Sequence, residues 1–390
     1  MKVFDRRERF DQDPPLIKLA INGKFLEATA GRSGVYRVAY ELLNALDKLL
    51  SNDPVFAATT RCCVVVSKKV ELDFELKNIA LCKTDLFGAE LKGNIWEQLV
   101  LPWKVKGHIL LNLCNVGPVL RRNAYTMMHD AQVRAFPESY SRAFRYWYQF
   151  AQPLLAKINK GVLTVSYYSR NELTRYKIAP TERIHVIHNG CDHVLRIQPN
   201  VEVVKRFNLL RNQYVVALSN TQAHKNIGVL FKAFNLEAMR KHTLVLFGAA
   251  NRVDFERLGY IVPSNVKFIG KITDEELYGL LIDATALAFP SLTEGFGLPP
   301  LEAMVLGCPV VIAPCGALSE VCGDSALIAD PNDANEWAAQ LARLYKDPEY
   351  AAYVGEAGRA HAKSFTWEKA AKQLLILIAT DARIGESLKN

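Results

Sequence analysis

The sequence predicts an α/β protein built as two Rossmann-like domains facing a central cleft. Three observations lead there. The chain has 390 residues, more than one hydrophobic core usually organises. Short apolar strands alternate with amphipathic helices along its whole length, the pattern of parallel sheets covered by helices. That alternation lapses once, in GCDHVLRIQPN between Gly190 and Val201, and then starts again, which marks a linker between two units.

In the first unit, Ile17–Asn22 reads as a short buried strand followed by a glycine-bearing loop at 30–34. The segment 35–50 places Val38, Leu42, Ala45, Leu46 and Leu49 on one helical face. Strands are expected at 62–67 and 79–83, a short helix at 96–103, and a strand at 108–113. A strand at 125–129 ends in the polar pair His129-Asp130, and strands at 161–166 and 184–188 complete the sheet. The second unit repeats the scheme. Strands are expected at 214–218, 243–248, 266–270, 286–290 and 309–313, with helices at 227–234, 274–283 and 298–306. Residues 1–15 are charged, lack the apolar stretch of a secretory signal, and read as a mobile tail. The domains are expected at 16–192 and 201–367.

Composition narrows the function classes. Half the residues are apolar and 23% are charged, an ordinary globular balance, and no uninterrupted apolar run is long enough to span a bilayer. The eight cysteines show no paired CxxC spacing of a zinc or redox site, and most sit in apolar runs. Reduced thiols in a cytoplasm are the expectation. Residues 1–200 hold 29 Lys and Arg against 19 Asp and Glu, whereas residues 201–390 hold 19 against 21. The basic half should attract an anionic partner, either a phosphorylated substrate or a membrane surface. Nucleic acid is not expected, because no recognised binding motif accompanies the charge.

In open α/β sheets ligands bind at the carboxyl ends of the strands, and four segments of chemical interest fall in such loops. The strongest is PSLTEGFGLPPLEAMVLGCPVV. Gly295 and Gly297 permit close backbone approach, and the helix starting near Leu298 offers free N–H groups and a partial positive charge to a phosphate. Glu294 and Glu302 flank that position. Two carboxylates beside a diphosphate repel it unless each takes neutral hydroxyls, as a sugar and a ribose provide. In LSNTQAHKNIGVLFKAF, Lys225 precedes an amphipathic helix and can neutralise a leaving diphosphate. The loop Gly31-Arg32-Ser33-Gly34 lacks the G-x-G-x-x-G spacing of a nicotinamide site. In SRAFRYWYQFAQPLLAKINK (141–160), Phe144, Tyr148, Leu155 and Ile158 suit one helical face, with Arg142, Arg145 and Trp147 off it. Such a mixture suits either a membrane interface or packing on the first sheet.

Together these segments resemble the retaining glycosyltransferase family 4 of the GT-B fold, in the manner of bacterial polysaccharide mannosyltransferases. The E-x7-E spacing of Glu294 and Glu302 carries the resemblance, with WEQLVLPW, NVGPVL, LTVSYYSRNEL and IHVIHNGCD extending it over nearly all of residues 17–370. The resemblance implies that Glu294 binds hydroxyls of the donor sugar and Glu302 the ribose. The backbone at Gly295, Phe296, Gly297 and Leu298 would face the sugar and diphosphate. Lys225 would bind phosphate. The arginine usual five or six residues before it is replaced here by Asn220 and Ser219, and His224 and Arg252 are the candidate substitutes. Gly31, Arg32, Ser33 and Gly34 would lie over the donor phosphates, and His129 would contact the donor sugar near the reacting carbon. A last helix, 368–390, would cross back to the first domain.

The implied reaction moves a hexose, first of all mannose from GDP-mannose, to a saccharide or lipid-diphosphate-linked saccharide with retention of configuration. It implies no cofactor and no metal, and no DxD-type carboxylate pair stands in a suitable loop. The implied location is cytoplasmic, peripheral to the inner membrane through 141–160. A sugar-nucleotide epimerase or hydrolase of the same fold, or an idle sugar-nucleotide-binding subunit, are the alternatives.

Overall fold

The computed structural model describes residues 16–27, 34–68, 70–71, 74–84, 91 and 93–387, with side chains to 382. The tail 1–15 and the loop residues Gly31, Arg32 and Ser33 lie outside the described residues. Two parallel sheets form the frame. The first contains β1 (Ile17–Asn22), β2 (Thr60–Ser67), β3 (Ala80–Thr84), β4 (Ile109–Asn112), β5 (Ala124–Met127), β6 (Gly161–Thr164) and β7 (Ile184–Val186). The second contains β8 (Tyr214–Ser219), β9 (Thr243–Gly248), β10 (Val266–Gly270), β11 (Ala286–Phe289), β12 (Val310–Ile312) and β13 (Leu327–Ile328).

The strand orders are 3-2-1-4-5-6-7 and 10-9-8-11-12-13, and every pairing is parallel. Each order reverses beside its first strand, between β1 and β4 in one sheet and between β8 and β11 in the other. Those reversals open a crevice at the strand ends, where ligands of such sheets bind. This is the GT-B arrangement of two Rossmann-like domains.

The central strands are buried on both faces, so they read as continuous apolar runs such as Val64–Val66 rather than as alternation. In the helix Gly34–Asn52, the residues Val38, Leu42, Ala45, Leu46 and Leu49 are all buried, as their spacing predicts. The last helix, Trp367–Ser387, packs on that helix through Leu374, Leu375 and Ile378, which are at most 1% exposed. Asp381 on it also accepts from the Tyr125 hydroxyl of β5. The last helix thus ties the end of the chain to the first sheet and its first helix.

Two local expectations are corrected. The segment 96–103 is two helices, Gly93–Leu99 and Leu101–Lys104, because Pro102 has no N–H to continue the first and suits the first turn of the second. The stretch 190–201 is no bare linker: Asp192–Arg196 is a 3-10 turn with His193 and Val194 buried. In the helix Arg142–Ile158 the buried residues are Ala151, Gln152, Leu155 and Ala156, whereas Phe144 is 40% exposed. The first half of that helix overhangs a cavity instead of the sheet.

Candidate functional site

The loop after β11 and the helix Leu298–Val305 form the floor of the cleft on the second domain. Pro299 and Pro300 sit in the first helical turn, where a missing N–H costs nothing. Gly297 caps the helix at φ +97°, a left-handed conformation that favours glycine. Gly295 touches the opposite domain: a Cβ there would lie 2.7 Å from the His129 carbonyl oxygen. The Gly295 carbonyl accepts from Ser166 Oγ at 2.6 Å and lies 3.0 Å from Ser169 Oγ, which is itself 2.8 Å from the His129 carbonyl. These serines come from the first domain and fix the loop across the cleft. Among the described residues the amides of Phe296, Gly297 and Leu298 donate no hydrogen bond, which leaves the helix N-terminus available to an anion.

Lys225 and Glu294 meet here. Lys225 Nζ lies 2.6 Å from Glu294 Oε1, with both side chains mostly covered at 15% and 13% exposure. The lysine follows β8 in a single 3-10 turn, and Asn226 at φ +52° starts the next helix. Asp130 of the first domain adds a third charge. Burial pushes its carboxyl up, its bond from the Gln132 amide opposes this, and Glu294 pushes it further up while Lys225 pulls it down. The cluster thus joins two carboxylates and one ammonium at the strand ends.

Glu302 lies one turn further along the helix and is 7% exposed. Its Oε1 is 3.0 Å from Nε2 of His193, a residue that the sequence pattern does not single out because it lies within the presumed linker. Arg37 approaches from the first domain. It donates to both oxygens of Asp274 at 2.7 and 2.6 Å, tying the helix Gly34–Asn52 to the helix Asp274–Asp283. Although burial works against its charge, Glu302 and Asp274 raise the Arg37 pKa.

His129 is 6% exposed and places Nε2 at 2.8 Å from the Leu113 carbonyl. A carbonyl only accepts, so Nε2 carries the ring hydrogen. Burial lowers its pKa from 6.5 to about 4, only partly offset by that bond. His129 is therefore a neutral imidazole near pH 7. Neither candidate substitute for the absent arginine supplies a cation. The His224 ring packs 5.1 Å from Phe136, and burial followed by Lys225 lowers its pKa, keeping it neutral. Arg252 spends its guanidinium on the carbonyls of Val262, Pro263 and Val266. Asn220 does not join the charge cluster's hydrogen bonds. Its Oδ1 accepts from the Gln222 amide, and it lines a separate recess of about 600 Å³ with Arg257. Gly34 opens its helix at the edge of the described residues.

A second feature lies at the reversal of the first sheet. A cavity of about 310 Å³ is lined by Asn22, Glu97, Tyr36, Phe144, Trp147 and Tyr148 among others. Glu97 is 1% exposed and is held by Asn22 Nδ2 at 2.8 Å and Lys24 Nζ at 2.7 Å. The indole N–H of Trp147 is buried and finds no hydrogen-bond partner among the described residues. Leu113, which holds His129, also lines this cavity, so it adjoins the cleft.

Comparison with known proteins agrees with this architecture. The family described as glycosyl transferases group 1 matches residues 204–361, the part that contains Lys225, Glu294 and Glu302. O-antigen chain mannosyltransferase B of Escherichia coli is 31% identical over 264 residues, covering 65% of this chain and 69% of that protein. O-antigen chain mannosyltransferase RfbU of Salmonella typhimurium is 27% identical over 240 residues, 60% of this chain and 63% of its own length. Sucrose-phosphate synthase from Thermosynechococcus elongatus superposes with a TM-score of 0.67 at 19% identity, over 93% of this chain and 98% of that one, a likeness of fold. No helix among the described residues is long and apolar enough to cross a membrane. The chain belongs to the group 1 glycosyl transferases and is a glycosyltransferase of the GT-B fold.

Proposed function

We propose that this glycosyltransferase moves mannose from GDP-mannose to a lipid-diphosphate-linked saccharide, with retention of configuration, during assembly of an O-antigen-type polysaccharide. The observation that carries the reading is the Lys225–Glu294 pair beside the uncommitted amides of residues 296–298. The choice of mannose draws on the O-antigen mannosyltransferase relatives.

In this reading the diphosphate lies at the helix N-terminus, and Lys225 turns from Glu294 to a phosphate oxygen. Glu294 is then released to accept from sugar hydroxyls, and Glu302 from those of the ribose. As the glycosidic bond breaks, negative charge grows on the diphosphate. Each preorganised donor aimed at that charge is worth about 3–4 kcal/mol by analogy with oxyanion holes. The acceptor oxygen attacks from the face the diphosphate leaves, and gives its proton to a phosphate oxygen. No protein nucleophile takes part. His129, neutral and buried against Leu113, presents an unprotonated Nδ1 and acts as a hydrogen-bond acceptor rather than an acid.

The acceptor saccharide is assigned to the aromatic cavity of the first domain, where Trp147 and Tyr148 offer ring faces and Asn22 and Glu97 polar groups. The adjoining helix exposes Tyr146 by 63% and Phe150 by 61%, next to Arg142 and Arg145, which suits contact with an anionic membrane carrying the acceptor.

The test is incubation with GDP-mannose and a lipid-diphosphate-linked oligosaccharide, with the product's anomeric configuration read by NMR. An α-linked mannoside is expected. Release of free mannose at the same rate with and without acceptor would replace the transferase reading by a hydrolase.

A further inference from the structure

His193 stands where the chain leaves the first sheet for the second, and its side chain is fully buried. Its ring is bonded on both sides. The indole nitrogen of Trp367, which can only donate, is 3.1 Å from Nδ1. Nδ1 therefore carries no proton and accepts. The remaining ring hydrogen is on Nε2, which donates to Glu302 Oε1 at 3.0 Å. The bond from Trp367 thus selects both the tautomer and the neutral state of His193.

Trp367 is itself held. Its backbone amide donates to Asp192 Oδ1 at 2.8 Å, and the Cys191 amide donates to the Phe365 carbonyl at 2.9 Å. The outgoing chain at 191–193 and the returning chain at 365–367 are joined at the point where both cross between domains. Trp367 is 3% exposed and starts the helix that runs back to the first domain.

We propose that His193 is a positioning residue for nucleotide recognition: with its tautomer set by Trp367, it fixes the carboxylate of Glu302 so that Oε2 faces the ribose hydroxyls of the bound donor. The proposal rests on the reading of Glu302 as the ribose ligand. Among the described residues no hydrogen bond reaches Glu302 Oε2, so that oxygen has capacity for the hydroxyls. A neutral donor suits the task better than a cation. It removes the rotational freedom of a glutamate without neutralising the charge that attracts hydroxyl protons. It also links ribose recognition to the domain crossing, because whatever moves Trp367 moves the partner of Glu302.

The experiment compares GDP, UDP and ADP with their 2′,3′-dideoxy counterparts by calorimetry, on wild type, Glu302→Ala, His193→Phe, His193→Gln and Trp367→Phe. The readout is the ratio of the two dissociation constants for the nucleotide that binds best. Wild type should favour the ribonucleotide by about tenfold or more, since a site built for hydroxyls leaves its buried groups unpaired without them. Glu302→Ala should bring the ratio close to one. His193→Phe should do the same, while His193→Gln, which keeps an N–H in reach of Oε1, should retain most of it. Trp367→Phe, which deletes one N–H and keeps an aromatic ring, should lower the ratio by about threefold and serves if His193→Phe fails to fold.

A purely structural His193 would weaken both nucleotides in proportion and leave the ratio intact; that result overturns the proposal. An intact ratio in Glu302→Ala overturns instead the ribose reading beneath it, and binding of none of the three nucleotides overturns both.

Discussion

Lys225 and Glu294 are 69 residues apart in sequence, yet their charged atoms lie 2.6 Å from one another at the mouth of the helix Leu298–Val305. The residue expected to meet the donor's diphosphate and the residue expected to meet its sugar thus neutralise each other. In the proposed reading donor binding exchanges this pair for two separate contacts, which makes the two side chains separable by mutation.

Lys225→Ala should weaken binding of GDP and of GDP-mannose alike, by about a hundredfold, because it removes a charge-assisted contact and leaves Glu294 facing the phosphates. Glu294→Gln should act differently. GDP should bind as tightly as to wild type or tighter, since the lysine is freed and a repelling carboxylate is gone. The extra affinity of GDP-mannose over GDP should fall by about tenfold. Calorimetry with both ligands on both variants checks the split.

His129 predicts a pH dependence of stability. The unfolded chain takes up a proton near pH 6.5, whereas the buried ring does so only near pH 4. The native state is thus favoured by a neutral His129. That stability is fully present above about pH 6.5 and is lost as pH falls toward 4, amounting to about 2 kcal/mol by pH 5. Urea denaturation of wild type and His129→Gln at pH 7.5 and pH 5 should show the wild type losing more of its midpoint. Equal losses would mean that the ring is not held neutral.

Trp147→Ala should raise the acceptor KM by about tenfold with donor affinity unchanged, because the ring lines the first-domain cavity and is remote in sequence from the donor segments. Initial rates at varied acceptor and saturating GDP-mannose measure it. A change in donor KM alone would move the acceptor out of this cavity.

Leu374→Ala should destabilise the protein by about 2–5 kcal/mol, the usual cost of emptying a buried leucine site. Leu374 is 0% exposed between the last helix and the first domain, so thermal unfolding of the first domain should shift with it.

Much of this architecture is legible in the chain. The strands Ile17–Asn22 and Thr243–Gly248 fall where apolar runs end in polar or glycine residues, because strands buried along most of their length leave no other pattern, and the edge strand Val266–Gly270, with only Val266 buried, is bounded by its closing glycine. The Glu294–Glu302 segment announces itself by local chemistry, a glycine loop feeding a proline-started helix. Contacts made across the cleft leave no such local mark. His193, Ser166, Ser169 and Asp274 find partners more than 100 residues away, so periodicity and spacing say nothing of them. The aromatic helix leaves membrane contact and sheet packing both open for a related reason. Its apolar stripe faces the sheet only in its second half, and beside the cavity aromatic residues need not be buried. The two candidate substitutes for the missing arginine are each constrained by their surroundings. Arg252 is committed to backbone carbonyls, and His224 is kept neutral by burial and by Lys225.

The most direct test of the donor site is a thermal-shift measurement with GDP-mannose, UDP-glucose, UDP-N-acetylglucosamine and dTDP-rhamnose on wild type and on the Lys225→Ala/Glu302→Ala double variant. At a hundredfold over its dissociation constant, a ligand adds about 2.7 kcal/mol of stability. Wild type should be shifted most by GDP-mannose, and the double variant by none of the four. An equal shift in the double variant, or no shift of the wild type by any nucleotide sugar, would contradict the assignment of Lys225, Glu294 and Glu302 to the donor.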